Sequence, residues 1–400
     1  MIPLLEPIPT HEATRRRQLL ARRLREEQRA IGELRALVGF DGFVDEIIRV
    51  VAARHGSGSF QAMETIGELA ERIAAAAGLS TNLELVVERT KLGGNGPIMA
   101  LALARLGVRV TCVGTLGKPE LHPVFHPLRE AGVEIISLGP PAHTDALEFR
   151  DGKLMLGKLE PLHAVHWDAI VAAAGRDRLR ELAETSHLVA QLNWTMLPHL
   201  NGIWDAWHRE MAPRARGIFF VDFADPAKRP VEELRAGLAS LSRIARHQPV
   251  YLGVNWREAL AVHAAVSSDG ESSPHHGASP PSPQAAGPFV ERLGPLLVKW
   301  DLHGVLVHPV RDAAGWRRHG QEDPGEGETA WVLGPYTPTP KLTTGAGDNF
   351  NAGAALGLCL NLPLPEVLWL GKATSGYYVR HGESPTLSQL ASFLESWDDM

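Results

Sequence analysis

Cysteine is nearly absent. The chain has two, Cys112 and Cys359, far apart and set among apolar neighbours. Two such residues exclude a disulfide framework or a cysteine-built metal centre, and predict buried free thiols. Long apolar runs are missing too. The most hydrophobic window, 352–370, is interrupted by Asn361, Pro363, Pro365 and Glu366, which excludes a membrane span. The opening Met1-Ile2-Pro3-Leu4-Leu5 has no basic stretch and too short an apolar one, so no signal peptide is read there. Positive charge is not in excess either: the net charge is −6, which gives no general pull toward nucleic acid. These absences predict a cytoplasmic protein with neither a nucleic-acid nor a membrane partner. What is plentiful is apolar material, 44% of 400 residues, enough for one large α/β domain with additions or two ordinary domains.

The stretch with the most chemistry is Thr343-Thr344-Gly345-Ala346-Gly347-Asp348-Asn349. Thr337-Pro338-Thr339-Pro340 brings the chain in extended, and 350–360, rich in Ala and Leu, reads as a helix. The glycines therefore open a helix, where free N–H groups and the positive end of the helix dipole attract anions. Without Cβ atoms, Gly345 and Gly347 let a phosphate approach the backbone closely. A carboxylate at such a site repels the anion it faces. Asp348 makes sense there as a base that takes a proton from a hydroxyl attacking phosphorus. The plainer alternative is a tight turn capped by Asp348.

The longer string resembles the C-terminal signature of the ribokinase-like (PfkB) carbohydrate kinases, Asp-Thr-x-Gly-Ala-Gly-Asp followed by a helix. It departs only at the first position, where this chain has Leu342. Leu92-Gly93-Gly94-Asn95-Gly96-Pro97, ahead of a helix, a strand (108–113) and a Gly114-Thr115-Leu116-Gly117 turn, resembles the family's sugar-holding Gly-Gly-Asn turn. Asn255-Trp256-Arg257-Glu258 resembles its Asn-x-x-Glu element near the phosphates. His308-Pro309-Val310 departs from the Thr/Gly turn the family often has beside the nucleotide.

The resemblance implies an α/β fold, a ribokinase-like three-layer sandwich with a mainly parallel central sheet and a small β lid. It also implies ATP-dependent phosphorylation of a hydroxyl on a small sugar. Asp348 is then the general base, and the amides of Gly345, Ala346 and Gly347 form an anion hole. Asn255, Glu258, Thr344 and Asn349 serve the nucleotide, with Glu258 ordering Mg²⁺. Asp41, Asp45, Gly94 and Asn95 hold the substrate. The resemblance also allows a homodimer through the lid. A nucleoside kinase is the alternative among enzymes, since the fold serves both, and an inactive sugar-binding or regulatory protein on a kinase fold is the alternative that Leu342 and His308-Pro309 favour.

In chain order, 11–37 reads as an amphipathic helix with Leu20, Leu24, Ile31 and Leu34 near one face and an arginine-rich opposite face. Residues 1–36 are an N-terminal extension, and 37–400 the kinase domain. Residues 37–45 read as a buried strand ending in a polar turn, with Asp41 and Asp45 at the carboxyl end where α/β folds bind ligands. The spacing does not choose between them. A helix (62–78), a strand (83–89) and a hairpin (144–156, turning at Asp151-Gly152) follow. Segments 43–60, 82–91 and 143–160 make up the lid, and Glu148 within it is taken as a surface carboxylate. His122 and His126 have a metal-binding spacing, but Pro123 and Pro127 argue for a loop. From 166, helices (168–184, 200–210, 231–246, 289–300) alternate with strands (187–192, 217–223, 250–254, 304–308), a parallel-sheet pattern. A Ser/Pro/Gly-rich insertion at 267–288 reads as disordered. A helix at 366–380 and the turn Gly382-Glu383-Ser384-Pro385 close the chain.

Overall fold

Strands rich in Val, Leu, Ile and Phe alternate with amphipathic helices, and the computed structural model, which describes residues 5–56, 58–267, 286–318 and 327–397, assembles them into layers. In order, the first half consists of α1 (Thr10–Glu26), α2 (Gln28–Ile31), β1 (Arg35–Phe40), β2 (Phe43–Arg54), β3 (Phe60–Ala62), α3 (Ile66–Ala75), β4 (Leu85–Gly93), α4 (Asn95–Arg105), β5 (Arg109–Gly114), α5 (His126–Glu130), β6 (Glu134–Ser137), β7 (Ala142–Phe149) and β8 (Gly152–Lys158). The second half adds α6 (Trp167–Ala174), α7 (Arg176–Thr185), β9 (Leu188–Gln191), α8 (Leu200–Glu210), β10 (Ile218–Val221), α9 (Val231–Ala245), β11 (Val250–Val254), α10 (Trp256–Val266), α11 (Ala286–Val298), β12 (Gly304–Val307), β13 (Asp312–Arg318), β14 (Gly327–Leu333), α12 (Ala346–Cys359), α13 (Leu364–His381) and α14 (Leu387–Ser396).

The main sheet has nine strands in the order β14-β13-β12-β11-β10-β9-β1-β5-β6. It is parallel from β12 to β6, with β13 and β14 added antiparallel at one edge. Helices cover both faces. Trp194, Trp204, Trp207, Phe219 and Phe223 fill one face against α8 and α9. Leu24, Leu103, Phe350, Leu368 and Leu394 fill the other, from α1, α4, α12, α13 and α14. A smaller sheet joins β2 to β3, β4 and β7, and β7 to β8. It has its own apolar cluster, including Ile48, Leu69, Leu147 and Phe149.

Several boundaries differ from the sequence reading. The strand expected over 37–45 is two strands, β1 and β2, which pair in different sheets. Gly42 allows the transfer, because a Cβ there would sit against the Thr115 carbonyl oxygen. The helix expected over 11–37 ends at Glu26 and resumes only as α2, and Leu34 is only partly buried. The helix expected over 168–184 breaks at Gly175, whose φ is +81°. The helix expected over 62–78 is shorter, ending at Ala75, while the strand expected over 83–89 runs on to Gly93. Pro123 and Pro127 do not force a loop. Each sits in the first turn of a short helical segment, where proline's missing N–H costs nothing. The antiparallel pair β13–β14 and the final α14 were not anticipated. Of the expected insertion, 286–288 belong to α11 and Ser267 caps α10, while 268–285 lie outside the described residues.

The arginine-rich helix packs on the body. Arg16 holds Glu366 at 2.8 Å and Arg25 holds Glu395 at 2.5 Å. Arg17 is buried with its guanidinium 4.4 Å from the ring of Trp397. Cys112 is buried, Cys359 is only partly so, and neither is in a disulfide. No helix among the described residues is long and apolar enough to cross a membrane.

Candidate active site

The carboxyl ends of the parallel strands converge on the N-terminus of α12. Gly345 is the N-cap, with φ +94° and ψ 0°, a left-handed conformation that favours glycine. A Cβ there would also stand 2.8 Å from the hydroxyl of Tyr378, which donates to the Thr344 carbonyl at 2.8 Å. The Ala346 N–H donates to the Thr343 carbonyl at 3.1 Å. The first-turn amides for which the helix supplies no acceptor are thus those of Gly347 and Asp348.

Two cavities meet at this turn. One, of about 300 Å³, is lined by Asp45, Gly94, Asn95, Asn193, Gly345 and Asp348 among others, with Phe43, Ile98 and Met196 as apolar wall. The other, of about 320 Å³, is lined by Asn255, His308, Tyr336, Ala346, Gly347 and Lys372 among others. Asp348 faces the first cavity, and its buried Oδ1 has no hydrogen-bond partner among the described residues. Burial raises its pKa well above the usual carboxylate range, and the charges of Asp222 and Asp41 push in the same direction. The Asn95 side chain, hydrogen-bonded to Asp348, pulls the other way.

The structure separates the two aspartates that the sequence left equivalent. Asp41 is buried beneath α4, accepting from the amides of Asn95 (2.9 Å) and Gly96 (2.8 Å) and from Asn193 Nδ2 (2.7 Å). It holds the Gly94-Asn95 turn in place. Asp45, on β2, lines the first cavity beside Thr144. Burial raises its pKa, opposed first by Lys91, whose Nζ lies 3.8 Å away, and then by a Thr144 hydrogen bond.

The residues expected to serve the nucleotide divide. Asn255 lines the second cavity and caps α10. Glu258 lines neither cavity: it completes a reciprocal capping box, with Oε2 accepting from the Asn255 N–H at 2.8 Å and Oε1 engaged by the Asn255 side chain. Thr344 lies on the first cavity, not the second, and accepts from Lys153 Nζ at 3.3 Å. Asn349 is buried under the turn, donating to the Gly345 carbonyl at 2.9 Å. Glu148, taken as a surface carboxylate, is partly exposed and paired with Lys153 at 2.8 Å.

Residues the sequence did not point to also converge here. Asp222, after β10, accepts from the Ala224 N–H and from Asn351 Nδ2 (2.7 Å), and burial raises its pKa to about 6. Asp222 and Asn193 both follow strand ends, which is the one signal that would have found them. Burial also raises the pKa of Glu258, reinforced by the charges of Asp222, Asp225 and Asp348. This group of buried carboxylates offers the oxygen donors that a divalent cation takes. Lys372 is buried in the second cavity, donating to the Pro309 and Val310 carbonyls at 3.0 and 2.9 Å, and burial lowers its pKa to about 8. His308 stacks on Phe350 with ring centroids 4.4 Å apart.

Paired cavities joined at a glycine-lined helix start, on a layered sheet carrying a smaller second sheet, define a ribokinase-fold carbohydrate kinase. Solved structures share this fold: ribokinase from Thermotoga maritima (14% identical, TM-score 0.57, covering 91% of this chain and 100% of that one) and adenosine kinase from Sinorhizobium meliloti (20% identical, TM-score 0.57, covering 90% and 97%). A family model described as prokaryotic ketohexokinase matches residues 11–397. A ketohexokinase from Haloferax volcanii is 32% identical over 374 residues, covering 91% of this chain and 92% of its own. The chain belongs to the prokaryotic ketohexokinase family.

Proposed function

We propose that this kinase transfers the γ-phosphoryl group of ATP to a hydroxyl of a ketohexose. The observation that carries the reading is Asp348: a buried carboxylate oxygen with no hydrogen-bond partner among the described residues, where two cavities meet at a helix N-terminus. The relative's ketohexokinase activity supports the choice of sugar.

In this reading the sugar occupies the first cavity, with hydroxyls hydrogen-bonded to Asp45, Asn95 and Asn193. Asp41 positions the Gly94-Asn95 turn from beneath. Asp348 Oδ1 takes the proton of the attacking hydroxyl as its oxygen bonds to the γ-phosphorus and the bond to the nucleoside diphosphate breaks. The free first-turn amides of Gly347 and Asp348, with Gly345 giving the close approach, stabilise charge on the transferring group. The nucleotide lies in the second cavity, past Asn255 and Tyr336. Asn255 and Glu258 would help hold a Mg²⁺ ion, which would supply neutralisation of phosphate charge. The same reading places the protein in the cytoplasm, in keeping with its free thiols, with the second sheet as lid and as a surface for pairing two copies.

A coupled assay for ADP release over ketohexoses, aldohexoses and adenosine tests this. Ketohexoses are expected to be the best acceptors; release with adenosine alone, or with nothing, overturns the reading. Asp348→Asn is expected to fold and to lose about two to four orders of magnitude in kcat. Wild-type turnover would remove Asp348 from the base role.

A further inference from the structure

The smaller sheet carries a second cluster of polar groups, apart from both cavities. β2 and β7 run parallel with Glu46 opposite Asp145 and Val44 opposite His143. Side chains alternate across a strand, so Glu46, His143 and Asp145 share one face, and Asp45 and Thr144, which line the sugar cavity, share the other. His143 Nε2 lies 3.2 Å from Glu46 Oε2 and 3.7 Å from Asp145 Oδ1. One ligand atom from each residue falls within 4.8 Å of both others. A tetrahedral zinc ion with bonds of about 2.0–2.1 Å places its ligands about 3.3–3.4 Å apart. The observed spacings bracket that value on paired strands, so these groups need little rearrangement to ligate.

On the cluster's own face the counter-charge is Lys158, opposite His143 on β8, whose Nζ is 2.9 Å from Asp145. Lys158 is 63% exposed, so its long side chain can swing into solvent, and Glu46 keeps its carboxylate beside the imidazole either way.

We propose that Glu46, His143 and Asp145 form a binding site for a divalent transition-metal cation of the zinc class, with water completing its coordination. An imidazole with two carboxylates suits such an ion. Because all three residues lie on the paired strands β2 and β7, the bound ion fastens those two strands together. The site is distinct from the phosphate end of the active site and does not depend on the proposed reaction.

The test is calorimetric titration of EDTA-treated protein with Zn²⁺ in excess Mg²⁺, alongside the visible spectrum of the Co²⁺ form. One ion per chain is expected, with the intense visible bands of a tetrahedral cobalt site. His143→Ala and, separately, Glu46→Gln are expected to weaken binding by at least about tenfold. His208→Ala, which alters a histidine pair elsewhere (His208 and His247, ring centroids 5.3 Å apart), is expected to leave it unchanged. Absence of saturable binding overturns the proposal. So does binding that survives both substitutions at full strength, or that falls with His208→Ala instead.

Discussion

Asn351 Nδ2 donates to Asp222 Oδ2 at 2.7 Å, binding the second turn of α12 to the end of β10 across 129 residues of sequence. Gly253 makes room for this contact, since a Cβ there would press on Asn351 Oδ1. Asp222 is held in place by that bond, and its charge helps keep the pKa of Asp348 high. Asp222→Asn therefore lowers the pKa of Asp348, so the base form persists to lower pH. The expected result is an acid limb of the kcat profile moved to lower pH. An unmoved limb would show that the two groups are not coupled during turnover.

Gly345 answers to both conformation and space. An alanine there must hold φ near +94° and displace the Tyr378 hydroxyl. Gly345→Ala is expected to cost about 1–3 kcal/mol of stability and to distort the turn that both cavities share. Thermal unfolding and kcat should fall together. A variant with unchanged melting temperature and activity would contradict the strain seen at this position.

Burial keeps His308 neutral, with its pKa lowered to about 3 from 6.5, and Lys372 adds to the shift. As pH falls below 6.5 the unfolded chain takes up a proton at this residue before the folded chain does. The stability linked to His308 is therefore full above pH 6.5 and is lost progressively toward pH 3. Buried acids such as Asp222 act in the opposite sense, so the informative quantity is a difference between proteins. Denaturant unfolding of His308→Asn should lose less stability than the parent between pH 6.5 and pH 4. Parallel curves would mean that His308 titrates normally.

At the opening of the glycine motif, where many relatives of the ribokinase-like family carry an acid that helps bind a monovalent cation, this chain has Leu342. Leucine offers no side-chain oxygen, so kinase activity is expected to depend little on potassium. Titrating potassium against sodium and a bulky organic cation at constant ionic strength measures this. Strong, selective activation by potassium would mean that another group supplies the missing oxygen.

The features legible in the sequence were local ones. The Gly345–Asp348 turn, the Gly94-Asn95 helix start and the Asn255–Glu258 cap each lie within a few residues, where backbone conformation and capping chemistry decide the outcome. Apolar periodicity likewise marked β11 at its observed limits and most of the helices. Tertiary structure decided what depends on distant segments meeting. It sent Asp41 under α4 and Asp45 into a cavity by passing the chain from one sheet to the other at Gly42. It placed Thr344 on the first cavity and brought Asp222, Asn193, Lys91 and Lys372 to the site. The charge on Asp348 responds to Asp222 and Asp41, neither of them near it in sequence. A residue's type and neighbours along the chain set what chemistry it can offer. Burial and the charges folded around it set how readily it gives up or takes a proton, and those exist only once the strands are in register.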